Sequence, residues 1–222
     1  PVSRLNTLYD WLAHIQLLGA NTIYLGPIFE SSAHGYDTAD YFQIDRRLGT
    51  NDDFKTLAKT MKRMGFRIVL DGVFNHVGRD FLAFRDVQAH GQNSEYREWF
   101  AGLDFTRRSP FGDPFYYEGW AGHYDLVKFN LENPAVQEHL FEAVSYWIDE
   151  FDTDGLRLDA ADHITPSFFR ALRAHCDAHK ADFWLMGEVV HGDYTKWANH
   201  MMLDATTNYE GYKGLYSSHN DC

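Results

Sequence analysis

The chain has 222 residues, 45% hydrophobic and 23% charged, enough for one large domain with a core of its own. Nowhere does an apolar run approach the ~20 residues of a membrane span, so no membrane partner is expected. A formal net charge of -12 excludes the basic surface that a nucleic-acid backbone requires and suits a neutral ligand.

Aromatic residues make up 16% of the chain; their flat faces suit sugar rings or simply pack a core. The two cysteines, Cys176 and Cys222, form neither a disulfide framework nor a metal cluster and point to a reducing, cytoplasmic compartment. Residues 1–7 carry no signal core, yet a start without Met leaves a removed leader, and with it secretion, open.

In chain order, Leu5, Leu8, Leu12, Ile15 and Leu18 recur at helical spacing until Gly19 stops the run. Residues 21–28 read as a short buried strand. Thr50 or Asn51 caps a helix carrying Phe54, Leu57, Met61 and Met64, ended by Gly65. Residues 67–73 form the next strand. Asn133-Pro134 opens a helix through Val136, Leu140, Val144, Trp147, Ile148 and Phe151, and residues 155–159 form a third strand. Thr165-Pro166 repeats the cap-plus-proline start. Strands follow at 183–188 and 201–205. Strands separated by helices imply parallel pairing and an α/β class. Residues 77–130, rich in Gly, Pro and aromatics, exceed an ordinary connection and suggest a small inserted subdomain.

Three strands finish on an acid: Asp71, Asp159 and Glu188. Helix capping explains any one Asp but not Glu188, since Glu is a poor cap. In a (β/α) barrel such strand ends converge on one mouth. Arg157 lies two residues before Asp159 and shares its face, so it is expected to point inward and hold Asp159 ionised. An ionised acid facing a second acid is the pair that glycoside hydrolysis uses.

Asp71-Gly72-Val73-Phe74-Asn75-His76, Gly155-Leu156-Arg157-Leu158-Asp159-Ala160, Gly187-Glu188-Val189-Val190 and His34-Gly35-Tyr36-Asp37 resemble, in order and spacing, the conserved segments of the α-amylase family of glycoside hydrolases. The resemblance covers nearly the whole chain. It implies a (β/α)8 TIM-type barrel, incomplete here at about strands 2 to 6, with a small subdomain inserted after strand 3. The divisions are then 1–76 and 131–222 for the barrel and 77–130 for the insertion. By position, Asp159 is the implied nucleophile, Glu188 the acid/base and Arg157 the group that orients Asp159. Tyr36, Asp37, His76, His163 and His191 are the implied substrate-binding residues, with Asp71 and Asn75 as supports.

The family activity so implied is retaining hydrolysis of α-1,4-glucans or maltodextrins through a covalent glycosyl-enzyme. Val127-Lys128-Phe129-Asn130, Gly187-Glu188-Val189-Val190-His191 and Thr207-Asn208-Tyr209 lean to the cyclomaltodextrinase, neopullulanase and intracellular amylase branch. A transglycosylase using the same intermediate is a close alternative. A non-catalytic sugar-binding relative is disfavoured because Arg157, Asp159 and Glu188 are all present. No cofactor is required. Many family members bind calcium through Asn75, an acid of the insertion and the carbonyl at His163, but Lys128 stands where that acid would be and disfavours the cation. Asp162 replaces a common lysine on the leaving-group side. Asp221 does not sit in the context of the family's third catalytic acid, so a fragment inactive by itself is expected. Trp120, His123 and Tyr124 either line the cleft or pack the insertion.

Overall fold

The computed structural model describes residues 3–220; Asp221 and Cys222 lie outside them. In chain order a 3-10 turn (Arg4–Leu8) leads into α1 (Tyr9–Leu17), β1 (Thr22–Leu25), β2 (Phe29–Ser31), β3 (Thr38–Ile44), α2 (Asn51–Arg63) and β4 (Arg67–Gly72). Residues 76–128 contribute β5 (His76–Gly78), α3 (Leu82–His90), β6 (Gly119–Trp120) and β7 (His123–Lys128). Then come α4 (Pro134–Phe151), β8 (Gly155–Leu158), α5 (Pro166–His179), β9 (Trp184–Gly187), β10 (Ala205–Thr206) and α6 (Tyr209–Asn220).

Five strands pair in the order β1-β4-β8-β9-β10, every pairing parallel. Each strand thus lies beside the next strand of the same sheet along the chain. That sequential winding is the wall of a (β/α) barrel, of which a closed example has eight strands. Buried apolar side chains from the face opposite Asp71 and Arg157, among them Ile68, Leu70, Leu156, Leu158 and Leu185, join the helix faces in one core. Trp147 of α4 is its centre: the indole stacks on Phe29 at 4.3 Å and donates from Nε1 to the Tyr41 carbonyl at 2.8 Å. β5, β7 and β6 form a separate antiparallel sheet in that order.

Several boundaries differ from the sequence reading. The first strand stops at Leu25 because Pro27 has no N–H to give the ladder. The last is displaced to Ala205–Thr206, since residues 199–203 form a turn in which Met202 donates to the Asn199 carbonyl. Thr165 does not cap α5; its hydroxyl donates to Glu132 Oε1 at 2.9 Å. An antiparallel hairpin, β2 and β3, occupies a stretch that carried no strand signal. Arg47 braces it, donating to the Ser31 and Ala33 carbonyls. The hairpin tip rests on β5, where a Cβ at Gly78 would overlap the Asp37 carbonyl.

Thr50 caps α2 as the sequence suggests, and reciprocally: Thr50 Oγ1 accepts from the Asp53 amide at 3.1 Å while Asp53 Oδ2 accepts from the Thr50 amide at 2.9 Å. Thr50→Ala is expected to lower stability by about 1 kcal/mol in urea unfolding, with Thr50→Ser recovering most of it.

Candidate active site

The site grows out of strand register. Asp71 on β4 stands directly opposite Arg157 on β8, and Asp159 and Glu188 follow the ends of β8 and β9. Main-chain bonds carry the ladder past the strand ends. Asp159 donates to the Gly72 carbonyl at 3.1 Å, Glu188 to the Leu158 carbonyl at 2.9 Å and Ala161 to the Glu188 carbonyl at 3.0 Å. The side chains then meet at one cation. Arg157 Nη1 donates to both oxygens of Asp71 at 3.0 Å and to Asp159 Oδ1 at 2.8 Å, and Nη2 reaches Glu188 Oε2 at 2.8 Å. Ala160, between the two acids, has left-handed backbone (φ 46°, ψ 43°) unusual for a residue with a Cβ, and its amide donates to Glu188 Oε2 at 3.3 Å.

One guanidinium does not neutralise three carboxylates. Burial pushes Asp159 up to about 7, against the pull of Arg157 and with the added repulsion of Asp71 and Glu188. Burial likewise raises Asp71. The expectation that Arg157 holds Asp159 fully ionised is thereby corrected: desolvation outweighs the partner.

Two tyrosines missed by the sequence reading complete the network. Tyr24 on β1 donates to Asp71 Oδ2 at 2.6 Å, and Tyr209 at the start of α6 donates to Glu188 Oε1 at 3.0 Å. Tyr24 had counted only as a strand residue. Tyr209 was in view only as part of a subgroup segment.

His76 is 1% exposed, with Nε2 3.8 Å from Asp159 Oδ2. Asn75 Nδ2 donates to its Nδ1 at 3.1 Å, so the ring proton is on Nε2, which has no partner and faces the acid. Burial lowers His76 to about 4, so it is a neutral donor at physiological pH. Tyr36 is half-buried at the hairpin tip. Asp37 is turned to its own loop, where Oδ1 accepts the amides of His34 at 3.0 Å and Gly35 at 3.1 Å. Trp120 sits 5.7 Å from His76, 5.8 Å from His123 and 6.2 Å from His163 between ring centroids, so β6 contributes to this wall. His191 is exposed on the segment after β9 and is not part of that cluster.

Residues 3–220 match the family model for the α-amylase catalytic domain. The chain belongs to the α-amylase family. It is 40% identical to a cyclomaltodextrinase of Geobacillus thermopakistaniensis, over 92% of this chain and 34% of the relative. With an intracellular maltogenic amylase of Bacillus subtilis it shares 38%, again over 92% of this chain and 34% of the relative. Among solved structures, the cyclic α-maltosyl-(1→6)-maltose hydrolase of Arthrobacter globiformis in complex with its cyclic sugar superposes with a TM-score of 0.89 at 35% identity, over 96% of this chain and 48% of that one. The chain thus spans about a third of the length of these curated relatives. The α-amylase relatives imply a (β/α)8 barrel, and the five parallel strands here form part of such a wall.

The raised Asp159 sets a sign. Between about 4, where Asp ionises in an unfolded chain, and about 7, the folded protein binds the extra proton, so this group's contribution to stability falls as pH rises and is level above. His76, depressed to about 4, acts in the opposite sense over an overlapping range. A variant separates them. The stability of Asp159→Asn relative to the parent is expected to improve by on the order of a few kcal/mol from pH 4 to pH 8. Urea unfolding at each pH reads it, and a pH-independent difference would refute a proton-binding Asp159.

Proposed function

We propose that this chain carries the catalytic centre of a retaining α-glucan hydrolase, with Asp159 as nucleophile and Glu188 as general acid and base. The observation that carries the reading is the single guanidinium of Arg157 bonded to both acids. Two carboxylates sharing one cation lie near each other, which supports retention, where the pair stands about 5 Å apart, over inversion, which needs more room for a water.

In the first step Asp159 attacks the anomeric carbon while Glu188 gives its proton to the departing glycosidic oxygen. In the second, Glu188 takes a proton from water, whose oxygen displaces Asp159 and restores the free acid. Arg157 offsets the negative charge on Asp159 before attack and again when it leaves. The Nε2–H of His76 is placed to bond a hydroxyl of the sugar beside Asp159, and Tyr36, Trp120 and His163 offer ring faces and donors around it. Short maltodextrins and cyclic maltodextrins are the proposed substrates, in keeping with relatives named cyclomaltodextrinase and maltogenic amylase. Those names favour water over a second sugar as acceptor.

Calcium does not fit well. Asn75 Oδ1 is buried without a partner, an oxygen such a cation could use. However, among the described residues no three His, Cys, Asp or Glu side chains converge on a metal-sized site. Lys128 also stands opposite His76 on β7. The proposed reaction has no step through a metal, and EDTA is expected to leave the melting temperature unchanged.

Retention is tested by following the anomeric protons of maltodextrin products by NMR, on a polypeptide that supplies all eight strands. Initial α product is expected; initial β product overturns Asp159 as nucleophile. Glu188→Gln is expected to slow natural substrates far more than substrates with good leaving groups, which need little protonation. Because Asp159 must be ionised to attack, kcat/KM is expected to rise with pH through about 7.

A further inference from the structure

The outer wall of the sheet holds a second cluster of nitrogen donors, on helices rather than at the mouth. His175 and His179 lie one turn apart on α5, with ring centroids 4.3 Å apart. Both point to Ser145 on α4: its Oγ is 2.8 Å from His175 Nε2 and 3.1 Å from His179 Nε2. The protons do not suffice for these contacts. His179 Nδ1 lies 3.0 Å from the His175 carbonyl, which only accepts, so Nδ1 carries the ring proton and Nε2 a lone pair. Ser145 has one hydroxyl proton, and it also lies 3.1 Å from the Phe141 carbonyl. Even when His175 donates from Nε2, the Phe141 carbonyl and His179 Nε2 compete for that proton. One acceptor is left over, on an exposed ring beside a second imidazole.

We propose that His175 and His179 form a binding site for a transition-metal dication, Cu(II), Ni(II) or Zn(II), on the α4/α5 face. Imidazoles at i and i+4 share one side of a helix, and here their Nε2 atoms already converge on a single point. No third His, Cys, Asp or Glu completes a metal-sized group among the described residues. The chain would thus supply two nitrogens, with the Ser145 oxygen and water filling the shell. Such nitrogen ligation selects these metals over calcium and magnesium, which take oxygen ligands. Glu138, Glu142 and Asp149 line the same groove, about 680 Å³ in volume, and favour a cation there.

The test is a calorimetric titration of the chain with NiCl2 at pH 7.5, with Cu(II) paramagnetic resonance as a second readout. One equivalent should bind, with nitrogen hyperfine structure from two imidazoles. His179 is exposed, so His179→Ala keeps the fold even if the half-buried His175 does not tolerate the change. Each variant should lose at least about tenfold in affinity, since even indirect partners of a metal are worth about that much. His90→Ala, an exposed histidine on α3, should leave binding intact. No saturable binding, or binding unaltered by His179→Ala, overturns the site.

Discussion

Arg157 places one positive charge among carboxylates from three adjacent strands, and the rest of the mouth is arranged around that shortage. Its position follows from the sheet. Only a residue on β8, between β4 and β9, can reach Asp71 on one side and Glu188 on the other while bonding Asp159 of its own strand. Tyr24 then ties β1 to the same network through Asp71. Removing the cation would leave several buried acids unpaired, a far larger penalty than the pairing itself contributes. The site and the barrel wall are therefore one electrostatic object.

The shortage also explains where protons reside. Asp159 near 7 is half-protonated close to neutrality although it touches an arginine. Glu188 meanwhile accepts from Arg157, Tyr209 and the Ala160 amide. The proposed chemistry needs Asp159 ionised and a proton on Glu188 when the sugar is bound.

What the sequence disclosed was whatever repeats locally. The Arg157-x-Asp159 spacing implied a shared face, and the acids closing three successive strands implied a common mouth. Caps at Thr50 and Asn133 were legible because their partners lie within three residues. Tyr24 and Tyr209 were not, since their hydroxyls act on Asp71 and Glu188 across 47 and 21 residues. The β2/β3 hairpin escaped because one strand has three residues and the register shifts twice. Thr165 looked like a cap, and a glutamate far along the chain took its hydroxyl. The charge state of Asp159 depends on depth of burial, which spacing does not encode.

The ladder continuing past the strand ends has a further meaning. Asp159, Glu188 and Thr207 each hang their amide on the carbonyl of the preceding strand's exit, at Gly72, Leu158 and Gly187. The backbone positions of the two acids are thereby set strand against strand by main-chain bonds. Only the turns that themselves bond Glu188, at Ala160, Ala161 and Tyr209, share in that placement. A scaffold of this kind lets the remaining periphery vary while the acids keep their places.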